Sequence, residues 1–175
     1  MMENPPSYCL PPIAGANTRL LILGSLPGVR SLQLSQYYGH PRNHFWPLLG
    51  QLINTDLLAV PYDDRLGHIE RAGIGLWDVV AHAVRPGSLD QHMRDVLPNG
   101  LGEFVASLPS LRAIGFNGAT ASKIGRRQLA VVLEQGLKGI ELIDLPSSSP
   151  ANTMALERKI SLWKKMQPYV EYVAQ

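Results

Sequence analysis

Along the chain, short apolar runs alternate with longer stretches in which apolar residues return every third or fourth position. Residues 19–23 (RLLIL) read as a buried strand closed by Gly24, and 74–80 (IGLWDVV) as a second strand. Residues 111–116 (LRAIGF) and 140–145 (IELIDL) read as a third and a fourth. Between them the spacing is helical: Phe45, Leu48, Leu49, Leu52 and Ile53 share one face, and so do Leu129, Val132 and Leu133. A last helix sets Leu156, Ile160, Trp163 and Val170 on one side, with Glu157, Lys159 and Lys164 off that face. Strands alternating with helices predict an α/β fold, a three-layer α/β/α sandwich around a central, mainly parallel four-stranded sheet.

Sheets of this kind bind ligands at the carboxyl ends of their strands, so that is where chemistry is expected. Three strand ends run into polar or Gly/Pro-rich segments: 24–28, 117–118 and 146–152.

The chain has 175 residues, which fits one domain with ample core, 1–175, opened by a proline-bearing leader (1–15) expected to pack on the surface or fray. With 45% hydrophobic and 17% charged residues it reads as globular rather than disordered. No apolar run is long enough to span a membrane, and residues 1–12 do not have the build of a secretory signal. The single cysteine, Cys9, excludes an internal disulfide and any cysteine-based metal cage, so a cytoplasmic setting is expected. No metal and no cofactor are expected. A net charge of +2 is compatible with nucleic acid but does not demand it.

After the first strand, Gly24-Ser25-Leu26-Pro27-Gly28 makes a turn whose backbone amides can face a ligand. It is neither a dinucleotide fingerprint nor a phosphate loop, and taken alone it is an ordinary strand-to-helix turn. Residues 37–46 (YYGHPRNHFW) gather aromatics, two histidines, an arginine and an asparagine. Phe45 and Trp46 read as core. Tyr38 and Asn43 are better placed for a site, although Asn43 also suits a helix N-cap. Asp78 reads as structural. Near the C-terminus, Ser149 and Pro150 suit the first positions of the last helix, and three consecutive serines at a helix N-terminus would suit a phosphate. His68, His82 and His92 lack metal-ligand spacing, and Arg126 and Arg127 fit a solvated helix face as well as a DNA contact.

Taken together, these segments resemble the uracil-DNA glycosylase superfamily, in the family's order and over most of the chain. Residues 24–28 (GSLPG) look like its first motif, 40–46 (HPRNHFW) like the HPxNxFW segment of its mismatch-specific members, and 146–149 (PSSS) like its second motif. The first motif usually carries Asp or Asn where Leu26 stands, and leucine cannot orient water through its side chain. That departure, together with YYGHPRNHFW, GIGLWDVV and LPSSSPAN, makes the hypoxanthine-DNA (deoxyinosine) glycosylase branch the nearest in resemblance.

The resemblance implies a catalytic pair, Asn43 and Ser25, and a base-binding wall of Tyr38, Asn117, Leu26 and Gly24. It further implies a DNA-binding set: Pro27, Gly28, Arg42, Ser147, Ser148, Ser149 and Pro150. The partner it implies is double-stranded DNA containing a deaminated base, bound by a monomer that flips the nucleotide and hydrolyses its N-glycosidic bond. With no lysine in the three motifs, strand cleavage through a covalent amine adduct is not expected. The other readings are a uracil or mismatch glycosylase, a non-catalytic DNA-binding module and, least well supported, a small-molecule enzyme on a Rossmann-like sheet.

Overall fold

A computed structural model describes residues 5–136 and 139–171; residues 1–4 of the leader lie outside the described residues. In chain order the elements begin with β1 (Ser7–Tyr8), β2 (Leu20–Gly24), α1 (Val29–Leu34), α2 (Phe45–Ile53) and α3 (Tyr62–Arg71). They continue with β3 (Ile74–Asp78), β4 (Val80–Val84), β5 (Arg94–Pro98), α4 (Leu101–Ala106), β6 (Ala113–Asn117), α5 (Ala119–Gln135), β7 (Glu141–Leu145) and α6 (Leu156–Trp163).

The central sheet is four-stranded in the order β3-β2-β6-β7, and all its pairs are parallel. β2 sits inside it with every residue buried, which explains an unbroken apolar run rather than alternation. The pleat sends Leu20 and Ile22 to one side, where they meet Phe45, Leu49, Ile69 and Trp163 from α2, α3 and α6. Leu21 and Leu23 go to the other side, against Val105, Ala121 and Leu129 from α4 and α5. This is the three-layer α/β/α arrangement expected from the alternation of strands and helices.

Four details depart from the sequence reading. Residues 74–80 are not one strand. The run leaves the central sheet at Val79, whose N–H donates to the Gly24 carbonyl, and continues as β4 in a second sheet. That sheet is antiparallel, ordered β1-β4-β5, and the short β1 and fully exposed β5 carry too few apolar residues to announce themselves. The last helix stops at Trp163 and gives way to a 3-10 turn over Lys164–Tyr169 that contains Pro168. Lys159 is completely buried, its ammonium donating to the Asn152 carbonyl at 3.1 Å, rather than lying off the packed face. Finally, Ser149 and Pro150 do not open that helix: they form a turn, and α6 begins at Leu156.

The described part of the leader is tied down. Cys9 N–H donates to Ala81, Ile13 bridges Leu76 in both directions, and the Tyr37 hydroxyl donates to Pro11 at 2.8 Å. No helix among the described residues is long and apolar enough to cross a membrane.

Candidate functional site

At the carboxyl end of the central sheet the loops enclose a cavity of about 540 Å³. Every residue singled out by the resemblance lies on its wall, so segments distant in sequence share one space.

The floor is the turn after β2. Four consecutive carbonyls there are claimed from outside the cavity: Gly24 by Val79 N–H, Ser25 by Val80 N–H, Leu26 by Arg85 Nη1 at 3.3 Å, and Pro27 by Arg85 Nη2. Because a trans peptide points its N–H opposite its C=O, the Ser25, Leu26 and Gly28 amides turn away from Arg85 and β4. Arg85 is 4% exposed and also pairs with Asp90 at 3.2 Å. Nothing in the sequence marks this arginine except its isolation at the end of an apolar strand. Leu26 joins the core beneath the turn, at 6% exposure.

One side wall is the 37–46 segment. The Ser31 hydroxyl accepts the Gly39 N–H at 3.0 Å, and the Tyr37 N–H donates to the Tyr62 hydroxyl at 2.9 Å, which fixes the segment against α1 and α3. Tyr38 is held at φ 52°, a backbone region costly for a bulky residue. Its ring stacks on Phe45 with centroids 3.6 Å apart and 12° between planes, so one ring face is already covered. Phe45 and Trp46 are core, as expected. The Asn43 side-chain oxygen accepts the Phe45 N–H at 2.9 Å in the turn that leads into α2, whose N-cap is His44 rather than Asn43, while its amide nitrogen has no bond among the described residues.

The opposite wall is the serine loop. Asn117 grips it twice: its amide donates to the Ser148 hydroxyl and its oxygen accepts the Ser148 N–H, both at 2.8 Å. The Ser148 carbonyl then accepts the His44 N–H at 2.9 Å, which joins the two walls. Asn117 therefore spends half of its hydrogen-bonding capacity on the loop and keeps one N–H and one lone pair for anything in the cavity. Gly118 follows at φ 98°, with Ser147 so close that a Cβ there would lie 3.1 Å from its side chain. The loop is not a helix terminus with free amides. Ser149 N–H is bound by the Ser147 hydroxyl, and Ala151 N–H by the Ser149 hydroxyl. What the loop offers an anion is its hydroxyl protons.

Asp78, read from sequence as structural, is on the wall too. It ends β3 directly opposite Gly24 in the parallel register. A Cβ on Gly24 would lie 2.7 Å from its Oδ1 and 2.9 Å from the Tyr38 hydroxyl, so glycine is what lets both groups reach in. Asp78 Oδ2 and the Tyr38 hydroxyl are buried and have no hydrogen-bond partner among the described residues. Burial pushes the Asp78 carboxyl up to about 7, against the pull of Arg85. Burial, with Asp78 alongside, also pushes the Tyr38 hydroxyl above its ordinary range. No group of three His, Cys, Asp or Glu side chains among the described residues is placed to hold a metal.

The family model for the uracil DNA glycosylase superfamily matches residues 11–174, nearly the whole chain. The chain belongs to the uracil DNA glycosylase superfamily. Within it, the chain is 39% identical over 153 residues to a hypoxanthine DNA glycosylase of Methanosarcina barkeri, covering 87% of this chain and 92% of that one. A hypoxanthine DNA glycosylase of Methanosarcina acetivorans is 38% identical over 154 residues, covering 88% and 93%. A solution NMR structure of a candidate uracil DNA glycosylase from Methanosarcina acetivorans superimposes with a TM-score of 0.76 at 33% identity, covering 93% of this chain and 99% of that one.

Proposed function

We propose that this superfamily member is a monofunctional DNA glycosylase that flips a deaminated nucleotide out of a duplex and hydrolyses its N-glycosidic bond, with hypoxanthine as the base. The observation that carries the reading is the convergence of three motif segments on one cavity at the carboxyl ends of the parallel strands. The substrate rests on the two relatives named hypoxanthine DNA glycosylase, and on buried Leu26, a departure from the Asp or Asn usual in the first motif that the segment resembles.

In this reading the extruded base enters between the walls. Tyr38, backed by Phe45, offers its remaining ring face for stacking, and the spare N–H and lone pair of Asn117 address the polar edge of the base. As the bond to C1′ lengthens, the sugar gains oxocarbenium character and the base gains negative charge. The free amide nitrogen of Asn43 holds water or developing charge, while its oxygen stays on the Phe45 amide. The outward-turned amides of Ser25, Leu26 and Gly28 add preorganised dipoles that need no side chain. The Ser147 and Ser149 hydroxyls, with Arg42 at the rim, take the flanking phosphates. The protein acts as a monomer on one lesion.

Matched duplexes carrying one inosine or one uracil, followed by alkaline cleavage at abasic sites, test the reading. Hypoxanthine release that drops by at least ~100-fold in Asn43→Ala, with DNA binding kept, is the expected result. Uracil release without hypoxanthine release overturns the substrate. A covalent protein–DNA adduct trapped by borohydride overturns the monofunctional mechanism.

A further inference from the structure

Departure of a purine is easier if a ring nitrogen is protonated as the bond breaks, and the reading above, on which this inference rests, names no proton donor for that step. Asn43 is a neutral amide that holds water but gives no proton, and Leu26 has nothing to give. A donor has to lie on the cavity wall, carry a titratable proton and be free of other partners.

Asp78 meets these conditions by position. Its strand runs parallel to β2, so the register brings its carboxyl beside Gly24, at the same depth as the turn that carries Leu26. No side chain on Gly24 separates it from Tyr38 or from the cavity. Its Oδ2 is buried and unclaimed by any group among the described residues, an expensive arrangement unless something occupies it. The other titratable groups on the wall are less suited: the Tyr38 hydroxyl is also unpartnered, but burial with Asp78 alongside holds it above its ordinary range, so it gives up its proton less readily. Asp90 is paired with Arg85 at 3.2 Å, and Arg85 spends its Nη groups on the turn carbonyls. His40 lies only half-buried on the 37–46 segment, and its Nδ1 accepts the Arg42 N–H at 3.1 Å, which leaves it Nε2 alone.

We propose that Asp78 is the acid of this site, donating the proton of its carboxyl to N7 or N3 of the departing hypoxanthine. The C1′–N9 bond breaks with its electron pair passing to the base, and the Asp78 proton neutralises the charge that collects there. Water held by Asn43 then forms the C1′–O bond and gives its proton to the Asp78 carboxylate. The net change is one water consumed, the neutral base and the abasic sugar released, and the acid restored. The charge around Asp78 is consistent with this cycle. Arg85, Asp90 and the hydroxyls of Tyr37 and Tyr38 interact with it electrostatically, and Arg30, His40 and Arg42 share the cavity wall. Burial outweighs the Arg85 charge and holds the carboxyl up to about 7, so the acid form is present at neutral pH and the carboxylate still forms within the cycle.

The test is the single-turnover rate of hypoxanthine release against pH. The unaltered protein is expected to be fast below about pH 7 and to slow as pH rises above it, because the active form is the protonated one. Asp78→Asn keeps the shape and loses the proton, so a rate lower by roughly 100-fold and flat across that range is expected, with substrate affinity little changed. A second measurement leaves the protein unaltered and uses duplexes in which N7 or N3 of hypoxanthine is replaced by carbon. One of the two should bring the rate down to that of Asp78→Asn on ordinary inosine. Full rate with the same alkaline fall in Asp78→Asn, or full rate on both analogues, overturns the role of Asp78 and leaves the glycosylase reading standing. No hypoxanthine release by the unaltered protein overturns both.

Discussion

The two loops that face each other across the cavity are built on opposite principles. The turn after β2 is held from behind by a charge: Arg85 and two β4-side amides take its four carbonyls, and its side chains, Ser25 apart, are glycine, proline or buried leucine. The loop after β7 is held by a neutral amide, and its own side chains close its short turns. The first therefore presents backbone to the cavity and borrows its one titratable group, Asp78, from the neighbouring strand. The second presents hydroxyls. In the proposed reaction the fixed dipoles near the reacting bond and the adaptable donors near phosphate come from differently made loops.

Breaking the first brace should cost most. Arg85→Ala leaves two buried carbonyls without a donor and Asp90 without its partner, so a loss of about 3 kcal/mol in denaturant unfolding is expected, together with glycosylase activity. Arg85→Lys should restore little, because one ammonium on a flexible stem cannot span both carbonyls as the planar fork does. A loss under 1 kcal/mol would mean that the turn holds itself. The second brace should cost less. Asn117→Ala orphans the N–H and hydroxyl of the fully buried Ser148, for about 2 kcal/mol by the same measurement. Ser148→Ala removes only the hydroxyl bond and keeps the amide one, for about 1 kcal/mol. Equal costs for Asn117→Ala and Ser148→Ala would show that the backbone bond contributes nothing.

How far each loop could be read from sequence follows from the same contrast. The serine loop, Asn117 and the 40–46 segment reach the cavity wall with their own polar residues, so composition and order single them out. β2 is legible because complete burial writes an unbroken apolar run, whereas the edge strand β7 keeps Glu141 and Asp144 exposed and buries only Ile143 and Leu145. The brace of the first turn was not legible. Arg85 is far from it in sequence, and only the exit of the chain at Val79 into a second sheet brings it underneath. The place of Asp78 on the cavity wall is hidden for a related reason, since a lone acid between apolar residues looks structural until the register sets it against Gly24. Asn43 has the chemistry of a helix cap, yet the N-cap falls on His44 and the Asn43 oxygen closes the turn just before it, with Asn43 itself on the cavity wall. Ser149-Pro150 carries the signature of a helix start, yet the hydroxyls claim the local amides first and the helix waits until Leu156.

The smallest expected effect lies just before the serine loop. Asp144 on β7 accepts the Ser122 hydroxyl at 2.5 Å and pairs with Arg126 at 3.1 Å, and Arg126 also lies over the Phe116 ring at 5.3 Å. The Ser122 bond, with Arg126 beside it, holds the Asp144 carboxyl below the usual carboxylate range. A carboxyl depressed in the folded state adds stability above its unfolded pKa and loses it as pH falls through the folded one, so this contribution is present at neutral pH and fades in acid. Both partners are largely in water, with side chains 41% and 64% exposed, so screening leaves only about 0.5 kcal/mol for Asp144→Asn at neutral pH. The difference between the two proteins should shrink as the pH is lowered toward 3 and should also shrink in high salt. A salt-independent loss of 2 kcal/mol would instead make this pair a third brace, and would mean that the serine loop is held by charge as the first turn is.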